Sequence, residues 1–225
     1  MRMKTNLTAA ALALFLAACA HNPSDSIPLA AQGSFTVGGG YVTHPGTFKQ
    51  ENFIAPDGQR AYGDFAYVKY QAPANAKPLP LIFQHGGAQS SRTWESTVDG
   101  REGFDTLFLR KGYSIYLLDQ PRSGKSNLST QAVTPDTPWA SNPMYGDKTL
   151  WLLSRMGHFD ASGKPVAHAQ FPEGEAAYQA FQQAWTVGSG PRDNDLNADV
   201  LAQLVGKTDG AILVTHSMGG TIGWR

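Results

Sequence analysis

The stretch Ala211 to Arg225, AILVTHSMGGTIGWR, holds a serine in a setting suited to nucleophilic chemistry. A serine hydroxyl attacks poorly until a base takes its proton, and its attack on a carbonyl builds an oxyanion that needs hydrogen-bond donors. Thr215-His216-Ser217-Met218-Gly219 follows a continuous apolar run and precedes a helical pattern, so Ser217 is expected at a sharp strand-to-helix turn. Residues two before and two after the serine come close in such a turn and must be small. Gly219 meets that need, Thr215 stands where Gly is usual, and Gly220 adds a small position where the helix packs on the sheet. The turn also sets the Met218 backbone N–H at a helix N-terminus, where unpaired donors and the dipole favour negative charge.

A second donor for the same oxyanion is expected from the loop after an earlier strand. His85-Gly86-Gly87-Ala88 follows the apolar run PLPLIFQ in that context, and the Gly87 N–H is the candidate. His85 reads as a residue that organises this loop rather than as the base. Gly124-Lys125-Ser126 could be mistaken for the end of a phosphate-binding loop, but that loop needs a Gly five residues before the Gly-Lys pair, and Asp119 occupies the place. His44, His158 and His168 have no metal-ligand spacing with one another or with carboxylates. No metal or cofactor is expected.

The elements that must position these residues follow from hydrophobic patterning. PLPLIFQ, GYSIYLLDQ and GAILVTHS are apolar throughout and alternate with the amphipathic patterns GFDTLFLRKG and DLNADVLAQLVGKTDG, as expected of strands in a parallel sheet covered on both faces. Upstream, SFTVGGGYV and RAYGDFAYVKYQ are aromatic and β-branched with Gly interruptions, as in short strands that begin a sheet. The connection from Pro121 to Asp209 far exceeds the ~30 residues of a whole strand–helix–strand unit. An insertion is therefore expected over about 127–194. It is rich in Pro and in aromatics, among them Trp139, Tyr145, Trp151, Phe159, Phe171, Tyr178, Phe181 and Trp185. These could line an apolar substrate site or form the insertion's own small core.

With 41% apolar residues and 18 basic against 18 acidic side chains, the chain has the composition of one globular domain. Its zero formal charge and lack of basic runs argue against a nucleic-acid partner. The N-terminus does not read as part of the fold. Arg2 and Lys4 precede an apolar segment, Leu7 to Leu16, too short to span a bilayer, so residues 1–18 are expected to be an export signal. Leu16-Ala17-Ala18-Cys19 resembles a bacterial lipobox, and Cys19 is the only cysteine, which makes it the candidate lipidation site. A polar tether is expected over 19–33 and the domain over 34–225. Ala20, in place of the Asp of an inner-membrane retention signal, points by that resemblance to the outer membrane.

Together QHGGAQSSRTWES, GYSIYLLDQPRSGKS and VTHSMGG resemble the α/β-hydrolase superfamily, and within it TWESTVDGREGF and DQPRSGKS look like a group of exported bacterial esterases with a long segment before the nucleophile. The resemblance runs from about Phe35 to the end. It implies an α/β-hydrolase fold, with a mostly parallel sheet and helices on both faces, and cofactor-free hydrolysis of a small-molecule ester by a Ser-His-acid triad. Thioesters, lactones and carbon–carbon substrates use the same parts. In that fold the acid and the histidine follow the serine in the chain, and none of the eight residues after Ser217 is either. The sequence is therefore expected to be the N-terminal part of a longer hydrolase, cut after the nucleophile-bearing strand and inactive by itself. The reading from another class is a surface lipoprotein that keeps the fold for binding and has no activity.

Overall fold

A computed structural model describes residues 26–131, 146–168, 170–186 and 188–225. The expected export signal, Cys19, Trp139 and Tyr145 lie outside the described residues. Five strands form the main sheet: β1 (Leu29–Thr43), β2 (Arg60–Pro73), β3 (Leu81–Gln84), β4 (Ile115–Asp119) and β7 (Ile212–Thr215), in the order β1-β2-β4-β3-β7. The three continuous apolar runs become β3, β4 and β7, and β3 lies parallel to both of its neighbours. For β3 and β4, buried almost throughout, this matches their composition, because a strand buried on both faces has no polar side to alternate.

The sheet as a whole is mixed rather than mostly parallel. β1 pairs antiparallel with β2, and β2 antiparallel with β4, so two of the four ladders run each way. The two upstream strands are also long, 15 and 14 residues, not short. Gly38, Gly39 and Gly40 interrupt the side-chain pattern without interrupting the backbone ladder, which continues from Gly38↔Phe65 to Gly40↔Gly63. β1 begins at Leu29, inside the stretch expected to be tether, and pairs Gln32 with Gln71 and Gly33 with Tyr70. Ladder hydrogen bonds are made by the backbone, so polar residues with no apolar pattern can still extend an edge strand.

Helices cover both faces. α1 (Phe104–Arg110) packs with Leu109 against Leu81, Phe83, Ile115, Leu117 and Trp94 on one face. On the other, α4 (Asn194–Lys207) and α5 (Met218–Gly223) bring Val200, Leu201, Leu204 and Ile222 against Val37, Ala66, Val68, Ile82 and Leu118. The strict alternation of Leu81 and Phe83 against Ile82 is the period of two that a strand imposes. α4 starts at a capped end, where the Asp193 carboxylate accepts the Leu196 N–H at 3.0 Å. β7 is the outer strand of the sheet among the described residues, and Ile212 and Leu213 are 41% and 37% exposed.

The insertion contains α2 (Asp147–Leu153), a small hairpin of β5 (Gly157–Phe159) and β6 (Pro165–Ala167), and α3 (Glu175–Gln183). Trp151, 1% exposed, makes edge-to-face contacts with Phe171, Tyr178 and Phe181 at 5.3, 5.1 and 5.6 Å between ring centres. Phe181 meets Trp185 at 5.9 Å. Of the eight aromatics, Trp151, Phe171, Tyr178, Phe181 and Trp185 thus pack on one another as a core of the insertion, and the edge-to-face geometry is the one that the ring quadrupole favours.

Candidate active site

The C-terminal ends of β3, β4 and β7 place three loops side by side. β7 aligns with β3 from Leu81↔Ile212 to Gln84↔Thr215, and α5 begins only three residues after the strand ends. His216 and Ser217 make the turn. The His216 N–H donates to Gln84 O at 3.1 Å, and the Gly219 N–H folds back to His216 O at 2.8 Å. Ser217 takes φ 51° and ψ −120°, a left-handed backbone that side chains adopt only under strain. It occupies the cap position of α5, yet its hydroxyl makes no capping bond and has no hydrogen-bond partner among the described residues. A serine at a helix start commonly spends its oxygen on the helix. This one is exposed and leaves its oxygen unspent.

Small residues permit the turn. A Cβ at Gly219 would lie 2.7 Å from His85 O and 2.9 Å from Gln84 Cγ, so α5 can cross the end of β3 only with glycine there. Thr215, which stands where Gly is usual, is accommodated downstream. Its methyl would be 2.9 Å from a Cβ at Gly223, and its hydroxyl 3.7 Å from one at Gly220.

The loop after β3 reaches the elbow. A Cβ on Gly86 would come within 3.1 Å of Ser217 Cβ and 2.9 Å of His216 Nδ1, and one on Gly87 would strike the Met218 sulfur. Ser217, Gly87 and Met218, residues singled out from distant parts of the sequence, are thus brought together. Neither the Gly87 nor the Met218 N–H donates to an acceptor among the described residues. His85 is 1% exposed. Its Nε2 accepts the Gln120 N–H at 3.2 Å, which leaves Nδ1 as the protonated nitrogen donating to Gly86 O at 2.8 Å. Burial pushes the imidazole below its ordinary value, so it is neutral near pH 7. His85 therefore organises the loop and is not placed as a base. His44 lies in the β1–β2 connection, and His158 and His168 on the insertion, away from this cluster. Among the described residues no group of three His, Cys, Asp or Glu could hold a metal ion.

Asp119 and Arg122, in DQPRSGKS, carry roles that their residue types alone did not disclose. Asp119, 1% exposed at the end of β4, accepts the Ser91 N–H at 2.6 Å and the Lys125 N–H at 2.8 Å, fastening the loop after β3 to the loop after β4. Gly124, with φ +52°, could carry no side chain here, since its Cβ would be 2.5 Å from the Asp119 carboxylate. The Gly-Lys-Ser run that imitates a phosphate loop is the turn around that carboxylate. Arg122 forms a bidentate pair with Asp64 of β2, and its Nη1 donates to Pro191 O at 2.7 Å. The Thr130 N–H joins Asp64 at 3.2 Å, and the Ser189 N–H joins Arg122 O at 3.0 Å. Both ends of the insertion thus meet at one buried charge pair. The insertion also touches the loop after β3, through Thr186 N–H to Ala88 O at 3.0 Å and Arg92 Nη1 to Gln183 O at 2.9 Å. A sequence cue existed in each case, an acid at a strand end and an arginine in a loop, but neither names its partner.

Similarity to known proteins agrees with this architecture. No protein-family model matches the chain. Over 170 residues it is 28% identical to a probable secreted lipase, phiG, of Fungal sp. (strain ATCC 74256), covering 71% of this chain and 44% of that protein. A solved structure of a bacterial esterase superposes with a TM-score of 0.67 at 32% identity, covering 91% of this chain and 65% of that one. The chain thus shares its fold with an esterase along nearly all its length, and spans less than half of the lipase and about two thirds of the esterase.

Proposed function

We propose that this chain is the N-terminal part of an α/β-hydrolase that cleaves carboxylic esters through an acyl-enzyme on Ser217. The observation that carries the reading is the state of Ser217: a strained, exposed serine between β7 and α5, its hydroxyl unspent, beside the unpaired N–H groups of Gly87 and Met218. The likeness to a bacterial esterase and to a secreted lipase supports the same chemistry.

In the proposed reaction Ser217 Oγ bonds to the ester carbonyl carbon as its proton passes to a histidine. The carbonyl oxygen becomes an oxyanion held by the Gly87 and Met218 N–H groups, and the alcohol leaves with the proton. Water then attacks the acyl-enzyme by the same route, releasing the acid and restoring the Ser217 hydroxyl. These donors are fixed before the substrate arrives, so stabilising the oxyanion needs no reorganisation. The acid and the histidine are proposed to come from sequence after Arg225, in keeping with the share of the esterase structure that this chain spans.

Export through residues 1–18 and lipid anchoring of Cys19 at the outer membrane complete the proposal. The lone cysteine after a short apolar segment supports the anchor, and the secreted character in the fungal relative's name supports export alone. Radiolabelled palmitate should enter the wild-type protein in cells and be absent from Cys19→Ala.

The deciding experiment treats the full-length protein with a fluorophosphonate probe and a chromogenic short-chain ester. Labelling and turnover should both vanish in Ser217→Ala. Turnover that survives this substitution overturns the nucleophile, and a well-folded wild type without labelling or turnover favours a binding lipoprotein.

A further inference from the structure

The two glycines of the candidate oxyanion loop raise a physical problem. Gly86 and Gly87 lack the Cβ that restricts other residues, so nothing intrinsic aims the Gly87 N–H at a substrate. His85 answers half of this. Its Nδ1–H holds Gly86 O at 2.8 Å, and because a trans peptide points its carbonyl and N–H in opposite directions, the Gly87 N–H of the same peptide faces the other way.

Gln89 supplies the other half. Its Oε1 accepts the Gly86 N–H at 3.0 Å and also lies 3.2 Å from His216 Nδ1. A backbone N–H can only donate, which settles the orientation of the Gln89 amide; its oxygen can only accept, so His216 must carry its proton on Nδ1. One oxygen thus bridges the oxyanion loop and the residue next to Ser217. The bridge is itself anchored, because the Ser123 hydroxyl donates to Gln89 O at 2.6 Å. His216 is also bounded by the edge of Trp94, with ring centres 6.5 Å apart at 90°.

We propose that Gln89 is a positioning residue that locks the oxyanion loop to the nucleophile elbow, holding the Gly87 and Met218 N–H groups in one register. The inference rests on the ester-hydrolase reading above. Gln89 neither donates to the oxyanion nor moves a proton; it fixes the distance between two donors that come from different loops. Misplacement by about 1 Å can cost on the order of 100-fold in rate, and loss of one donor roughly 100- to 1000-fold.

The test uses the full-length protein as wild type, Gln89→Leu, Gln89→Glu and Ser217→Ala, with ester kinetics, melting temperature and ¹⁵N shifts of the His216 ring. Gln89→Leu should lower kcat roughly 10- to 100-fold with KM within about threefold. Its His216 should lose the Nδ1–H form that the wild type shows. Gln89→Glu keeps an acceptor for both donors and should preserve the melting temperature and the tautomer. It should still lose kcat about 10-fold or more, because its charge opposes an oxyanion nearby. A Gln89→Leu enzyme with wild-type kcat, or a wild-type His216 protonated only at Nε2, overturns the inference while Ser217→Ala remains inactive. Turnover by Ser217→Ala overturns the reading beneath it and is seen in a different variant.

Discussion

Arg122 and Asp64, 58 residues apart, meet in a parallel two-bond ion pair, with Nε to Oδ1 at 2.7 Å and Nη2 to Oδ2 at 2.8 Å. Both are nearly excluded from solvent, at 5% and 7% exposure, and both take positive φ, 67° and 59°. Buried pairs are poor sources of net stability, because desolvation offsets much of the attraction, but removing one partner strands a charge. Arg122→Ala should therefore destabilise by about 3 kcal/mol or more. Replacing both residues with apolar ones should recover part of the loss, as measured by urea unfolding.

Acid should act through the same pair. Burial pushes the Asp64 carboxyl up, but hydrogen bonds from Arg122 and Thr130, with the arginine charge, outweigh burial and hold it below its ordinary 3.8. A folded-state value below the unfolded one means that the stabilisation is complete above about pH 4 and is lost as pH falls through the depressed value. Unfolding midpoints from pH 6 downward should show this decline in the wild type and a shallower one in Asp64→Asn.

The backbone of Ser217 predicts a trade between stability and chemistry. At φ 51° and ψ −120° a side chain is strained and glycine is not. Ser217→Gly should be more stable than Ser217→Ala by about 1 kcal/mol or more, and both should lack fluorophosphonate labelling. Equal stability of the two variants would contradict the strained geometry.

Trp151 anchors the insertion, surrounded by Phe171, Tyr178 and Phe181. Trp151→Ala should cost roughly 3 to 5 kcal/mol in that unit, and Trp151→Phe much less because it keeps a ring at the centre. Proteolysis should then cut within 146–186 first, while the amides of β3 and β4 keep their protection from exchange.

Much of the sheet was legible in advance because its signals are local. PLPLIFQ, GYSIYLLDQ and GAILVTHS announce strands by continuous apolarity, and DLNADVLAQLVGKTDG announces α4 by its amphipathic pattern. The two strands of the β1–β2 hairpin were legible but their full length was not, since glycines and polar residues erase the alternation while the backbone ladder persists. The insertion's aromatics were legible as residues but not in their use. Packing on one another or on a substrate demands the same composition, and only their mutual placement separates the two.

What the sequence by itself determined is the chemistry available: a serine between a strand and a helix, a Gly-Gly loop after an earlier strand, and the small residues that a tight elbow requires. These depend on sterics within a few residues of chain. Tertiary structure alone decided that the sheet is mixed, that Gln89 reaches His216 across 127 residues, and that Arg122 finds Asp64 and both ends of the insertion. Such pairings follow from where the strands bring loops together, and a donor in a sequence carries no mark of the acceptor that folding will place before it.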